Sequence, residues 1–133
     1  MAIILDADVI IRGEKGDFDL KTWVASRPDD LFEIAAITVA ELWHGVERAT
    51  PTHRAKRQRY VENFLAAMRI VPYTEQTAQI HAHLWAKLES TGQTIGDYDL
   101  IVAATALERG SSVATFNKRH FSVVKGLKVI TPA

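Results

Sequence analysis

The sequence predicts a three-layer α/β domain with a mainly parallel central sheet of four to five strands. Short apolar runs alternate along the chain with longer segments whose apolar residues recur at helical spacing. The chain has 133 residues, 47% of them hydrophobic, which is enough to bury a core without disulfides or a structural metal. No linker or internal repeat interrupts this pattern, so we expect a single domain over residues 1–133.

The predicted strands are short apolar runs, and parallel pairing is expected because helical segments separate most of them. They are Ile3–Leu5, Leu31–Ile37, Ile70–Pro72, Ser112–Phe116 and Leu127–Ile130. His120 and Phe121 are expected to form a turn between the last two strands.

The predicted helices carry most of the remaining apolar residues. Trp23, Trp43 and Trp85 are expected in the core or an interface, with Trp85 on the same face as His81, Leu84 and Leu88. Gly13 and Gly110 are expected to end the first and last helices. The helices are predicted at 7–13, Phe18–Ser26, Thr38–Arg48, 53–68, Thr74–Ser90 and Asp97–Arg109.

Composition excludes several classes of site and leaves the partner open. The chain has no cysteine, which excludes disulfides, zinc–thiolate sites and cysteine nucleophiles. Its 16 basic and 16 acidic residues balance, so net charge does not indicate a partner. No basic segment precedes the apolar start of the chain, and no run approaches the ~20 apolar residues that cross a bilayer. We therefore expect a cytoplasmic protein without membrane contact.

Oxygen-bearing side chains follow the predicted strand ends, where open α/β sheets bind their ligands. Converging carboxylates repel one another, and a divalent cation such as Mg²⁺ relieves that repulsion. Such an ion also favours hydrolysis of phosphodiesters. The residues in question are Asp6 after the first strand, Thr38 and Glu41 after the second, Asp97 and Asp99 before the fourth, and Thr115 and Asn117 after it.

Each of these acids also has a purely structural interpretation. Asp6 and Asp8 are suited to capping the first helix. Thr38 and Glu41 have the spacing of a capping box, in which the Glu side chain bonds the cap amide. Asp97 and Asp99 stand in the first turn of a helix, where the helix dipole favours negative charge.

Four segments of the chain resemble motifs of PIN-domain nucleases, and in particular of VapC-type toxins. Together they span nearly the whole chain in the order found in that family. The segments are Ile4–Ile10, Ile37–Leu42 with Gly45 and Glu47, Thr94–Ala104, and Val113–Phe121 with Gly126 and Leu127.

The resemblance implies an RNA-cleaving enzyme that needs Mg²⁺ or Mn²⁺, forms a homodimer and is controlled by a VapB-type antitoxin, with transfer RNA the commoner substrate. The family's metal-binding acids correspond to Asp6, Glu41 and Asp99. Its variable fourth acidic position is Asn117 here, which leaves one negative charge fewer. Asp8 occupies a position that is often Asn or Ser, and the Asp97 position is not consistently acidic in the family. His120 stands where many relatives carry Asp.

Basic residues are expected at the rim of an acidic site that receives RNA. Lys118, Arg119 and His120 follow Asn117 directly and are the first candidates. Arg54 and Arg57, together with Lys56 and Arg59, form a second group, for which a solvated helix face is the competing interpretation.

Two other functions remain open at this point. A haloacid-dehalogenase-like phosphatase would use Asp6 and Asp8 as its nucleophile motif and Asp97 in its last acidic motif, but it requires an apolar strand before Gly96. A non-catalytic PIN-like module that binds RNA or protein is the second, with Asn117 marking partial loss of the site.

Overall fold

Five parallel strands form the centre of the computed structural model, which describes residues 1–133. Along the sheet the strands lie in the order β3-β2-β1-β4-β5, and all four neighbouring pairs are parallel. The first strand of the chain is therefore the central one. The strands are β1 (Ala2–Leu5), β2 (Leu31–Ala35), β3 (Arg69–Val71), β4 (Ser112–Ala114) and β5 (Val129–Ile130).

Helices cover both faces of this sheet, which confirms the predicted three-layer architecture. Alternation along β1 sends Ile4 to one face and Ile3 and Leu5 to the other. The Ile4 face packs against α5, α6 and α7, and the opposite face against α1 to α4. The helices are α1 (Ala7–Lys15), α2 (Leu20–Ala25), α3 (Ala36–Arg48), α4 (Pro51–Ala67), α5 (Glu75–Ser90), α6 (Asp97–Arg109) and α7 (Lys118–Phe121). None of these helices has the length and apolar character needed to cross a membrane.

Three predicted strands are too long, because apolar residues beyond a strand end are buried in other ways. The second strand stops at Ala35, and Ile37 packs into the core from the first turn of α3. The fourth stops at Ala114, and Phe116 instead makes an edge-on contact with Phe18, with 5.2 Å between ring centroids. The last strand begins at Val129 rather than Leu127.

The predicted end of the first helix at Gly13 is wrong. The helix continues to Lys15 and is capped by Gly16, whose φ of 80° is the left-handed conformation that glycine adopts without strain. Gly13 lies in a crowded contact, since an added Cβ would come within 3.1 Å of Leu20 and of the Tyr60 hydroxyl. The glycine permits close packing rather than chain termination.

Helix boundaries near α2 and α7 also differ from the prediction. Phe18 precedes α2, because Asp19 is the N-cap and its carboxylate accepts a hydrogen bond of 3.0 Å from the Thr22 amide. Residues 120 and 121 belong to the short helix α7 and not to a turn.

The predicted apolar face of α5 is partly wrong. Leu84 and Leu88 are buried, as expected for residues four apart on one stripe. Trp85 lies outside this stripe and is 55% exposed, and its ring stacks on His81 at 5.8 Å. Trp23 is buried, and Trp43 is packed against the core as predicted.

Glu33 is fully buried in β2 and is held by two arginines. Arg109 makes two hydrogen bonds to its carboxylate, of 3.1 Å from Nε and 2.6 Å from Nη2. Arg69, the register partner of Glu33 on β3, approaches to 3.4 Å. A bidentate pair of this kind satisfies a buried charge that would otherwise be strongly destabilising.

We predict that Arg109→Ala lowers the free energy of unfolding by about 3 kcal/mol, because Glu33 then keeps only the more distant Arg69. Urea denaturation measures the change. Arg54→Ala is the matched control, because it breaks the ion pair between Arg54 and Glu47, both well exposed, at less than about 1 kcal/mol. Equal losses in the two variants would contradict the assignment.

Candidate active site

Asp6 lies at the carboxyl end of the central strand and is 4% exposed. Its amide donates to the Ala114 carbonyl at 2.9 Å, which continues the pairing of β1 with β4. One carboxylate oxygen accepts the Ala7 amide at 2.9 Å, and the other accepts the Thr115 hydroxyl at 2.8 Å. Asp6 therefore caps α1 and also points an oxygen at the end of β4, so the capping interpretation is correct but incomplete.

Thr115 connects the residues that follow β1 to those that follow β4. Its hydroxyl donates to Asp6, lies 3.4 Å from both oxygens of Asp8, and accepts the Asn117 amide at 2.9 Å. The Phe116 amide donates to Asp8 at 3.0 Å. Neutral donors thus fix the two aspartates without cancelling their charge.

Glu41 does not take part in a capping box, and that alternative is wrong. The helix α3 begins two residues earlier than predicted, with Ala35 as a cap that makes no side-chain hydrogen bond. Glu41 instead has a buried Oε1 without a partner, and the fully buried Thr38 has an unpartnered hydroxyl. Unsatisfied buried oxygens are costly, by about 1–3 kcal/mol each, and indicate a role outside helix capping.

Asp97 and Asp99 stand in the first turn of α6, whose cap, Gly96, makes no side-chain hydrogen bond. Both line an open cleft of about 450 Å³ together with Gly96, Tyr98 and Glu41. Acids from α3 and α6 therefore border the same space. His120 reaches Asp99 from α7, with 3.4 Å between Nδ1 and the carboxylate.

Burial and mutual repulsion perturb the acids at this edge. Burial is the main cause that raises the pKa of Asp6 from 3.8 to about 7, and the charges of Asp8 and Asp99 add to it, against the Thr115 hydrogen bond. The pKa of Glu41 rises from 4.5 to about 7, again through burial first and then through Asp99 and Asp8. These carboxyls therefore share one electrostatic environment.

Asp99 is shifted in the same direction. Burial raises its pKa above the usual 3.8, and repulsion from Asp8 adds to the rise, while the contact with His120 lowers it. Clusters of acids with raised pKa values are typical of functional sites, because folding for stability alone would disperse or neutralise them.

The donor set fits a hydrated hard cation but not a closed metal cage. No group of three or more acidic or histidine side chains is arranged to hold a metal ion as it stands. The available donors are oxygens, which Mg²⁺ prefers, and Mg²⁺ keeps several waters so that one or two carboxylates suffice. The unpartnered Glu41 oxygen is an additional available donor.

The predicted basic residues fall into two groups. Lys118, Arg119 and His120 are exposed on α7, beside the acids. Arg54 is exposed on α4 and pairs with Glu47 at 2.9 Å, which favours the solvated-face interpretation for this residue. Arg57 contacts Glu14 at 3.3 Å and lines a cavity of about 200 Å³ that Glu41 also borders.

Three features of the site escape prediction from sequence. The Phe116 amide that binds Asp8 is a backbone donor and has no sequence signature. Arg12 stacks on the Phe116 ring at 4.4 Å, a contact that joins separate segments. Tyr98 is exposed at the cleft, and its position between two acids was the available signal.

The phosphatase alternative is not supported by the local structure. That interpretation requires an apolar strand directly before Gly96, but residues 91–96 contain no strand. The preceding element is the helix α5, which ends at Ser90.

Comparison with known sequences identifies the family. The PIN domain family matches residues 3–127. Ribonuclease VapC1 of Rickettsia felis is 31% identical over 132 residues, which cover 98% of this chain and 96% of that protein. The tRNA(fMet)-specific endonuclease VapC of Salmonella typhimurium is 31% identical over 96 residues, which cover 72% of this chain and 71% of that protein.

Comparison with solved structures agrees. The structure of VapBC-5, a member of the VapBC family of toxin–antitoxin systems from Mycobacterium tuberculosis, matches with a TM-score of 0.78 at 30% identity. The match covers 98% of each chain. The chain therefore belongs to the PIN domain family and, within it, to the VapC ribonucleases.

Proposed function

We propose that this chain is a divalent-metal-dependent endoribonuclease and the toxin of a toxin–antitoxin pair. The observation that carries the proposal is the set of carboxyls at the end of the sheet, where Asp6 and Glu41 have pKa values of about 7 and Glu41 has an unpartnered oxygen. Such a cluster of carboxyls is unfavourable without a cation, and a cation bound there would attract the phosphates of an anionic substrate such as RNA.

Asp6, Glu41 and Asp99 are the residues that would hold Mg²⁺ or Mn²⁺, with Asn117 at the fourth position. When bound, the ion supplies positive charge against the scissile phosphate and lowers the pKa of water. Asp6 is already oriented for this role by Ala7 and Thr115. Thr115 and the Phe116 amide hold Asp8 beside it, and Asp8 adds negative charge without being needed as a ligand.

The residues of α7 would contact the RNA backbone. Lys118 and Arg119 are exposed next to Asn117 and form no ion pair within the chain. Contacts of this kind with phosphates give affinity that does not depend on base sequence. Arg57 is a weaker candidate for phosphate binding because its guanidinium already donates hydrogen bonds to Glu14 and the Gly45 carbonyl.

Transfer RNA is the substrate class that we propose, because a relative from Salmonella typhimurium is named a tRNA(fMet)-specific endonuclease. Cleavage is expected to leave a 5′-phosphate and a 3′-hydroxyl. A VapB-type antitoxin is the proposed partner, because the VapBC-5 structure is described as a toxin–antitoxin system. We also propose, by family analogy, that the toxin forms a homodimer and that it acts in the cytoplasm, where transfer RNA is found.

We predict that Asp6→Asn and Asp99→Asn each reduce RNA cleavage by on the order of 100-fold or more, since each removes a negative ligand while keeping side-chain volume. The measurement is cleavage of total transfer RNA with Mg²⁺, combined with mapping of new 5′ ends in cells after brief induction. Glu47→Gln, an exposed acid of α3 away from the cleft, is the matched control and should retain full activity. Undiminished cleavage by Asp6→Asn would refute the site.

The pH dependence of metal binding is the second prediction. The pKa of Asp6 and of Glu41 is about 7 in the folded chain, so both carboxyls are protonated near pH 5 and ionised near pH 8. Because these pKa values exceed those of the unfolded chain, the two groups favour folding most at low pH, and this contribution is lost as pH rises from about 4 to about 7.

Mg²⁺ should therefore raise the melting temperature more at about pH 8 than at about pH 5, since only the ionised carboxyls bind it. Thermal denaturation with and without the ion measures this difference. The double variant Asp6→Asn/Glu41→Gln should show little shift at either pH. Equal stabilisation of the wild-type chain at both pH values would contradict the prediction.

A further inference from the structure

We propose that Tyr98 stacks against an unpaired RNA base beside the scissile phosphate. The inference rests on the proposed nuclease function and adds a substrate-binding residue to it. The starting observation is exposure, because Tyr98 is 56% exposed in the first turn of α6. A single exposed aromatic ring is common on protein surfaces, so it is the position of Tyr98 in the lining of the cleft that indicates a binding role.

Tyr98 has no structural task within the chain. Its hydroxyl makes no hydrogen bond, its ring pairs with no other aromatic ring, and it belongs to neither core cluster. By contrast, the hydroxyl of the exposed Tyr73 forms a hydrogen bond of 2.8 Å with His81, and Trp85 stacks on the same histidine. Removing the Tyr98 ring should therefore leave the fold intact.

The surroundings of Tyr98 select the chemical group that it binds. Seven large apolar side chains are exposed on the molecule, and Tyr98 is the one that lines the cleft with Glu41, Asp97 and Asp99. Without a bound cation, these acids repel an approaching phosphate. A nucleobase is neutral and planar, so its face matches the Tyr98 ring, while the scissile phosphate would lie beside it at the ion that Asp6, Glu41 and Asp99 would hold.

The basic side chains of α7 provide a place for the RNA phosphates near Tyr98. His120 contacts Asp99 at 3.4 Å, which places α7, with Lys118 and Arg119, next to that acid. An RNA strand whose phosphates follow α7 can therefore bring a base to Tyr98, the neighbour of Asp99 in the chain. Stacking requires that this base be out of a duplex, because a paired base presents no free face.

Binding of a fluorescein-labelled, single-stranded RNA of random sequence tests the proposal, with each variant placed in the inactive Asp6→Asn chain. Tyr98→Ala should weaken binding by about 5-fold to 150-fold, the range expected for loss of one stacked base. Tyr98→Phe keeps the ring and should bind within about 2-fold of its parent. Trp85→Ala removes an aromatic ring of equal exposure, 55%, outside the cleft and should have no effect.

A second readout separates stacking from a general loss of affinity. In an RNA that the wild-type chain cleaves, 2-aminopurine is placed in turn on each side of the mapped cut. The inactive Asp6→Asn chain that keeps Tyr98 should quench its fluorescence, and the same chain with Tyr98→Ala should not. Equal binding and equal quenching in these two chains would overturn the Tyr98 assignment while leaving the nuclease function in place. A wild-type chain that neither binds nor cleaves RNA would overturn both proposals.

Discussion

Repulsion among carboxylates at one end of the sheet is the constraint on which the rest of the site depends. Parallel strands place their carboxyl ends at the same edge, so Asp6 and Thr115 meet although they are 109 residues apart. The first turns of α1 and α6 bring Asp8 and Asp99 to that edge, and α3 brings Glu41. The fold therefore holds together charges that would separate in an unfolded chain.

Two buried carboxylates of the chain, Glu33 and Asp6, have opposite kinds of partner. Glu33 is neutralised by Arg109 and Arg69, and its charge serves the fold. Asp6 is also buried, but its carboxylate accepts hydrogen bonds only from an amide and a hydroxyl. Hydrogen bonds from neutral donors fix a carboxylate in position without removing its negative charge. The absence of arginine and lysine around Asp6 therefore distinguishes a functional acid from a structural one.

The sequence predicted the five strands and every helix except α7 in their order along the chain, because apolar periodicity is a local feature. It also predicted acids at the strand ends, where the structure has Asp6 directly after β1. It was insufficient where one residue type serves two purposes. Thr38 and Glu41 have the spacing of a capping box, and only the start of α3 at Ala36 excludes it. Glu33 gives no sign of its partner Arg109, which is 76 residues away. Gly13 resembles a helix end, although its role is close packing against Tyr60.

The charge distribution also links the proposed cation to the proposed RNA. Without a cation, the acids near Asp99 oppose an incoming phosphate, while Lys118 and Arg119 on α7 attract it. A bound divalent ion reverses the local sign of charge and favours the phosphate, and a bound phosphate in turn favours the ion, because coupling of two binding free energies is reciprocal. Tyr98 stands outside this coupling, since a stacked base carries no net charge. The acids, through the ion they would hold, and the basic residues of α7 thus bind the phosphate, whereas the Tyr98 ring positions the base.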